Sequence, residues 1–110
     1  MTPAPRRTDR APPRRREQTD LYANVLEVVK RYRGEARVTR VSYGAGMPVD
    51  RLRKVLDRLA GLGLLSVHDL DGRPAYDITA RGQEFLSTYW KMRGFVDALN
   101  DPNPALDGFG

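Results

Sequence analysis

The stretch MPVDRLRKVLDRLAGLGLL, residues 47–65, carries Arg51, Arg53, Lys54 and Arg58. Guanidinium and ammonium donors this closely spaced can hold phosphate oxygens, and one aimed at a base edge can donate to guanine O6 and N7. Asp50 and Asp57 lie among them and fit poorly beside phosphate; they can orient the arginines or accept from cytosine. Arg37 and Arg40 precede the stretch and Arg73 follows it. The other reactive residue types offer little. His68 is the only histidine and there is no cysteine, so a thiolate nucleophile and the familiar zinc triads have no residues to form from. Asp69, Asp71 and Asp77 have neither EF-hand spacing nor a glycine-rich phosphate loop beside them. No nucleophile–base pair or cofactor motif stands out, so no enzyme activity and no cofactor are expected.

The formal charge of +5 is unevenly placed. Residues 1–18 hold six arginines against two acids, and residues 30–58 hold nine Lys/Arg against three acids. The segments between and after them are net acidic. Basic charge gathered in this way is the footprint of a polyanion binder, whereas an evenly solvated surface needs no such asymmetry. No apolar run approaches the roughly 20 residues of a membrane span, and no secretory segment is visible. The expectation is a soluble cytoplasmic protein.

The elements that must position these residues are four helices and one hairpin, mainly α with a small β component. Residues 1–18 are rich in Pro and Arg without apolar periodicity and read as a disordered basic arm; residues 100–110 read as a disordered tail. A first helix spans DLYANVLEVVKRYR, capped by Thr19 or Asp20, with Leu21, Val25, Val28, Val29 and Tyr32 inward. A second runs from Val38 to Ala45 before the tight break GAGMP. A third starts at Pro48 or Val49 and ends at Leu62, with Val49, Leu52, Val55, Leu56, Leu59 and Leu62 on one face. LLSVHDLDGRPAYDIT reads as a hairpin turning at DLDG, with Leu65, Val67, Tyr76 and Ile78 as its apolar positions. Thr79 caps a last helix over residues 80–99, in which Phe85, Tyr89, Met92, Val96 and Leu99 recur at heptad spacing. With both ends set aside, residues 19–79 form the domain, and the last helix carries more apolar surface than so small a core can cover.

Helix, helix, tight turn, helix, hairpin, helix is the order of a winged helix-turn-helix domain. The residues carry a closer likeness. Thr39, Arg40, Val41 and Tyr43 in the second helix, Gly63, Leu64 and Leu65 after the third, and Tyr76, Ile78, Thr79 and Gly82 at the strand-to-helix junction resemble the small archaeal winged helix-turn-helix DNA-binding proteins of the Sso10a type, over about residues 20–99. The resemblance implies a homodimer joined through the last helix as an antiparallel coiled coil and bound to double-stranded DNA. It also implies a role in transcriptional control or chromosome organisation. Pro48, at the start of the third helix, departs from the polar cap usual in relatives, and Gly94 interrupts the last helix.

Within that frame the third helix enters the major groove with Arg51, Arg53, Lys54 and Arg58, while Arg37 and Arg40 clamp phosphates at the start of the second. The bland alternative for each is a solvated charge that keeps the protein soluble. Tyr43 is read as packing rather than contact. Arg73 at the wing either enters the minor groove or touches phosphate, in a field weakened by Asp69 and Asp71. Arg14, Arg15 and Arg16 either lie along phosphates, adding affinity without sequence choice, or only solubilise the arm. Phe85, Tyr89, Met92, Val96 and Leu99 are the candidate dimer seam. The rival to DNA binding is a winged-helix module whose basic face meets an acidic protein.

Overall fold

A computed structural model of the chain describes residues 15–100. Most of the expected basic arm, including Arg14, and the tail after Asn100 lie outside the described residues. The first helix, α1 (Arg15–Arg31), begins one turn earlier than the cap expected at Thr19 or Asp20. Arg15, Arg16, Glu17 and Gln18 are straight-chain helix formers, and Glu17 complements the positive end of the helix dipole, so helix continues back through them. The basic stretch is therefore not wholly an arm. At its other end Arg33 and Gly34 both take positive φ, 45° and 87°, and stop the helix.

Ala36 then pairs with Tyr76 as an isolated antiparallel bridge, with Tyr76 N donating to Ala36 O at 2.9 Å. This one-residue strand had no signal in the sequence. Helix α2 (Val38–Ala45) has the expected limits, and Gly46 closes it at φ 65°. Helix α3 (Val49–Gly61) starts after Pro48, whose extended backbone brings the chain into the first turn without a side-chain cap. Leu52, Val55, Leu56 and Leu59 are buried. Leu62, expected on that face, falls just past the helix end and is 48% exposed.

Strands β1 (Leu65–Leu70) and β2 (Arg73–Ile78) form the hairpin in the register Leu65↔Ile78 and Leu70↔Arg73. The loop is Asp71-Gly72, both with positive φ, which matches the twist of the flanking strands. Val67, expected inward, is half exposed although its ladder partner Tyr76 is buried, as are Leu65 and Ala75. Helix α4 (Ala80–Leu99) follows, and its Thr79 cap is present: Gly82 N donates to Thr79 Oγ1 at 3.0 Å. The Thr79 hydroxyl in turn donates to Gly63 O at 2.6 Å, tying the start of α4 to the end of α3.

One core joins these elements, with Val25, Leu26, Val28 and Val29 of α1 against Val41 of α2 and Leu52, Leu56 and Leu59 of α3. Leu86 reaches it from α4. No helix among the described residues is long and apolar enough to cross a membrane.

Candidate nucleic-acid interface

Since α3 buries its leucine face, its other residues are forced outward. Asp50, Arg51, Arg53, Lys54, Asp57 and Arg58 are all exposed. None of the four cations forms an ion pair with another described residue. The two edges of this face differ. Arg51 lines a hollow with Glu17, Asp20, Leu21 and Asn24, so its edge borders α1. Asp57 and Arg53 lie close enough to Tyr76 to act on its phenol. Burial raises the Tyr76 pKa above the ordinary tyrosine value, Asp57 adds to the rise and Arg53 opposes it. The Arg53–Asp57 edge therefore borders the wing, and Asp50 and Lys54 occupy the ridge between the two edges. Chemically the face offers three arginine forks and one ammonium to an acceptor-rich partner, with two carboxylates that restrict where phosphate can lie.

The flanking residues part company. Arg40 is exposed and its guanidinium stands over the Tyr32 ring, 5.5 Å from the centroid. Arg73 is exposed on the wing, opposite Leu70. Arg37 does not project as a phosphate clamp. Its Nη2 donates to Leu70 O at 2.8 Å and lies 3.8 Å from Asp71, so its reach is committed to the wing tip. Local sequence gives no sign of this contact, because the partner is 33 residues away. Tyr43, read as packing, is 89% exposed on α2, so its ring is open to a partner instead. Helix periodicity puts it opposite Val41 and Ala45, consistent with that exposure. Arg15 and Arg16 belong to the first turn of α1.

The seam residues of α4 divide in the same way. Phe85 and Tyr89 pack against the core cluster with their rings stacked at 6.5 Å, and the Tyr89 hydroxyl donates to Asp20 at 2.6 Å. Burial, then this bond to Asp20, raises the Tyr89 pKa. Val96 is half-buried along a cleft of about 580 Å³ between the start of α1 and the last turns of α4. Met92 and Leu99 are 59% and 82% exposed, and Phe95, outside the proposed seam, is 69% exposed. Trp90, on another side of the helix, donates its indole N–H to Glu27 at 2.8 Å. Among the described residues no group of three or more His, Cys, Asp or Glu side chains could hold a metal ion.

Comparison with known proteins agrees with this arrangement. The chain is similar to Sso10a-2, a DNA-binding protein from Sulfolobus solfataricus, with a TM-score of 0.65 and 25% identity over 74% of this chain and 82% of that one. It is also similar to BpsR of Bordetella bronchiseptica, a protein whose DNA binding is regulated by 6-hydroxynicotinic acid. That match has a TM-score of 0.58 and 16% identity over 79% of this chain and 67% of the other, and it speaks for the fold alone. No curated protein sequence matches the chain. The winged helix-turn-helix family profile matches residues 15–96. With its helices, tight turn and hairpin in that order, the chain belongs to the winged helix-turn-helix family.

Proposed function

We propose that this protein binds double-stranded DNA as a homodimer, laying α3 in the major groove with the wing beside it, and acts without catalysis in transcriptional control or chromosome organisation on the nucleoid. The observation that carries the reading is the unpaired cationic face of α3, backed by four buried aliphatic residues that fix its orientation. The likeness to a DNA-binding protein at 25% identity supports it. Arg53 and Lys54 are the base-edge candidates, Arg51 and Arg58 the flanks, and Arg40 and Arg73 the phosphate contacts on either side. The exposed apolar stripe of Met92, Phe95 and Leu99 supports a second copy docking along α4, because contiguous apolar surface of that kind marks association.

The test replaces Arg51, Arg53 and Lys54 together with alanine. All three side chains are solvent-exposed, so the fold should survive as judged by circular dichroism. Affinity for duplex DNA should fall roughly tenfold or more, and the log–log salt slope should drop by about 0.9 for each phosphate contact removed. A folded triple variant that binds as wild type does would refute the assignment. The acidic-protein reading is separated by a low-salt gel shift of the wild type on generic duplex, which that reading predicts to be blank.

A further inference from the structure

The wing needs an anchor. A two-stranded hairpin is marginal alone, and Ser66, Val67, His68 and Asp69 of β1 are all exposed. Its base is held by the Ala36–Tyr76 bridge. Its tip is held by Arg37, from the residue that precedes α2. Two contacts could do the holding, and their environments separate them. Asp71 is 88% exposed and 3.8 Å away, so that ion pair contributes little. The bond from Nη2 to Leu70 O is short and charge-assisted, and the Arg37 side chain is only 22% exposed, so it is the stronger link. The other terminal nitrogen, Nη1, is buried without a partner, which leaves the tie resting on that one bond. Leu70 is the ladder partner of Arg73. Arg37 therefore holds the residue directly across from the wing's own cation.

We propose that Arg37 is a positioning residue for the wing: it does not touch DNA, but fixes the tip relative to α2 and α3 so that Arg73 meets phosphate without an ordering cost. The inference rests on the DNA-binding reading above. With the tie cut, the tip samples many positions, and each Arg73 contact must first select one of them.

A double-mutant cycle tests this. Duplex binding is measured against salt for wild type, Arg37→Gln, Arg73→Gln and the pair, with Arg37→Met as a second variant that keeps the buried stem without a donor. Backbone amide exchange at Leu70–Arg73 is followed on the free proteins. Positioning predicts a roughly tenfold loss for Arg37→Gln in the wild-type background. In the Arg73→Gln background the same change should cost nothing, and exchange at the tip should accelerate by a comparable factor. Equal losses in both backgrounds, with the slope falling by about a further 0.9, would show that Arg37 is itself a phosphate contact. An Arg73→Gln variant that binds as wild type does, or unaltered exchange in both Arg37 variants, overturns the proposal. If the wild type fails to shift duplex at low salt, the DNA reading fails by itself, and the exchange measurement still decides whether Arg37 anchors the wing.

Discussion

Two glycines of α4 receive the same substitution with opposite expected results. At Gly82 a Cβ would stand 2.2 Å from Leu64 O and 2.7 Å from Ile78 Cγ1. The first neighbour is backbone and is already engaged, since Leu64 O accepts from Thr79 N at 3.1 Å. Relief requires α4 to move off the hairpin base, which strains the bonds linking Gly82 to Thr79 and Thr79 to Gly63. Overpacking of this kind costs about 1–3 kcal/mol, and one weakened hydrogen bond adds about 1 kcal/mol. Alanine returns about 1 kcal/mol of helix propensity. Gly82→Ala should therefore destabilise by about 1–3 kcal/mol. At Gly94 a Cβ meets nothing within 4 Å, so Gly94→Ala should keep the whole propensity gain of about 1 kcal/mol. Urea unfolding by circular dichroism, at one fixed protein concentration because association shifts apparent stability, should put the variants about 3 kcal/mol apart. By heat, each kcal/mol corresponds to about 4–8 °C in a domain of this size. A Gly82→Ala protein as stable as wild type would show that α4 is not seated on Leu64 as described. A destabilised Gly94→Ala protein would show that this face of α4 is covered in solution.

Three further outcomes are expected. Met92→Glu with Val96→Glu puts one carboxylate in the exposed stripe and one in the half-buried cleft beside it, and should leave a folded monomer with weaker DNA binding, because two linked recognition helices bind more tightly than one; sedimentation equilibrium reads the mass, and a wild type that is monomeric at micromolar concentration and on DNA refutes this use of α4. Removing residues 1–14, which leaves α1 whole and takes away Arg6, Arg7, Arg10 and Arg14, should lower the salt slope by up to about 0.9 per arginine that touches phosphate and leave sequence preference unchanged. Stability should decline in alkali: the neutral phenols of Tyr76 and Tyr89 are favoured in the fold, so their contribution is full below the ordinary tyrosine pKa of about 10 and is lost as pH rises through the raised values. Tyr89→Phe should flatten that decline in unfolding measurements between neutral pH and alkali.

Much of the frame is legible in the sequence. The limits of α2, the buried face of α3, the hairpin and the Thr79 cap follow from apolar spacing and from the turn and capping residues, which act over a few positions. The same local rules put Arg53, Lys54 and Arg58 on the outside of α3, because burying Leu52, Val55, Leu56 and Leu59 leaves them nowhere else to go. They also explain the early start of α1, where the helix-forming run Arg15 to Gln18 follows directly on the proline-rich segment.

The remainder depended on which distant segments met. Arg37 reads as a surface cation until the chain folds the wing tip against it. Val67 reads as core, yet the folded hairpin buries its ladder partner Tyr76 and leaves Val67 half exposed. Tyr89 reads as seam until Asp20 comes within reach of its hydroxyl. Gly82 belongs to a junction motif in the sequence, but why it must lack a side chain shows only when Leu64 O comes to lie where its Cβ would be. Local sequence determines which side of an element is apolar and where the element stops, because those are properties of a few neighbouring residues. Which outward side chains find partners is fixed only by tertiary structure, since hydrogen bonds and van der Waals contacts act over a few ångströms between residues whose separation along the chain carries no record of their meeting.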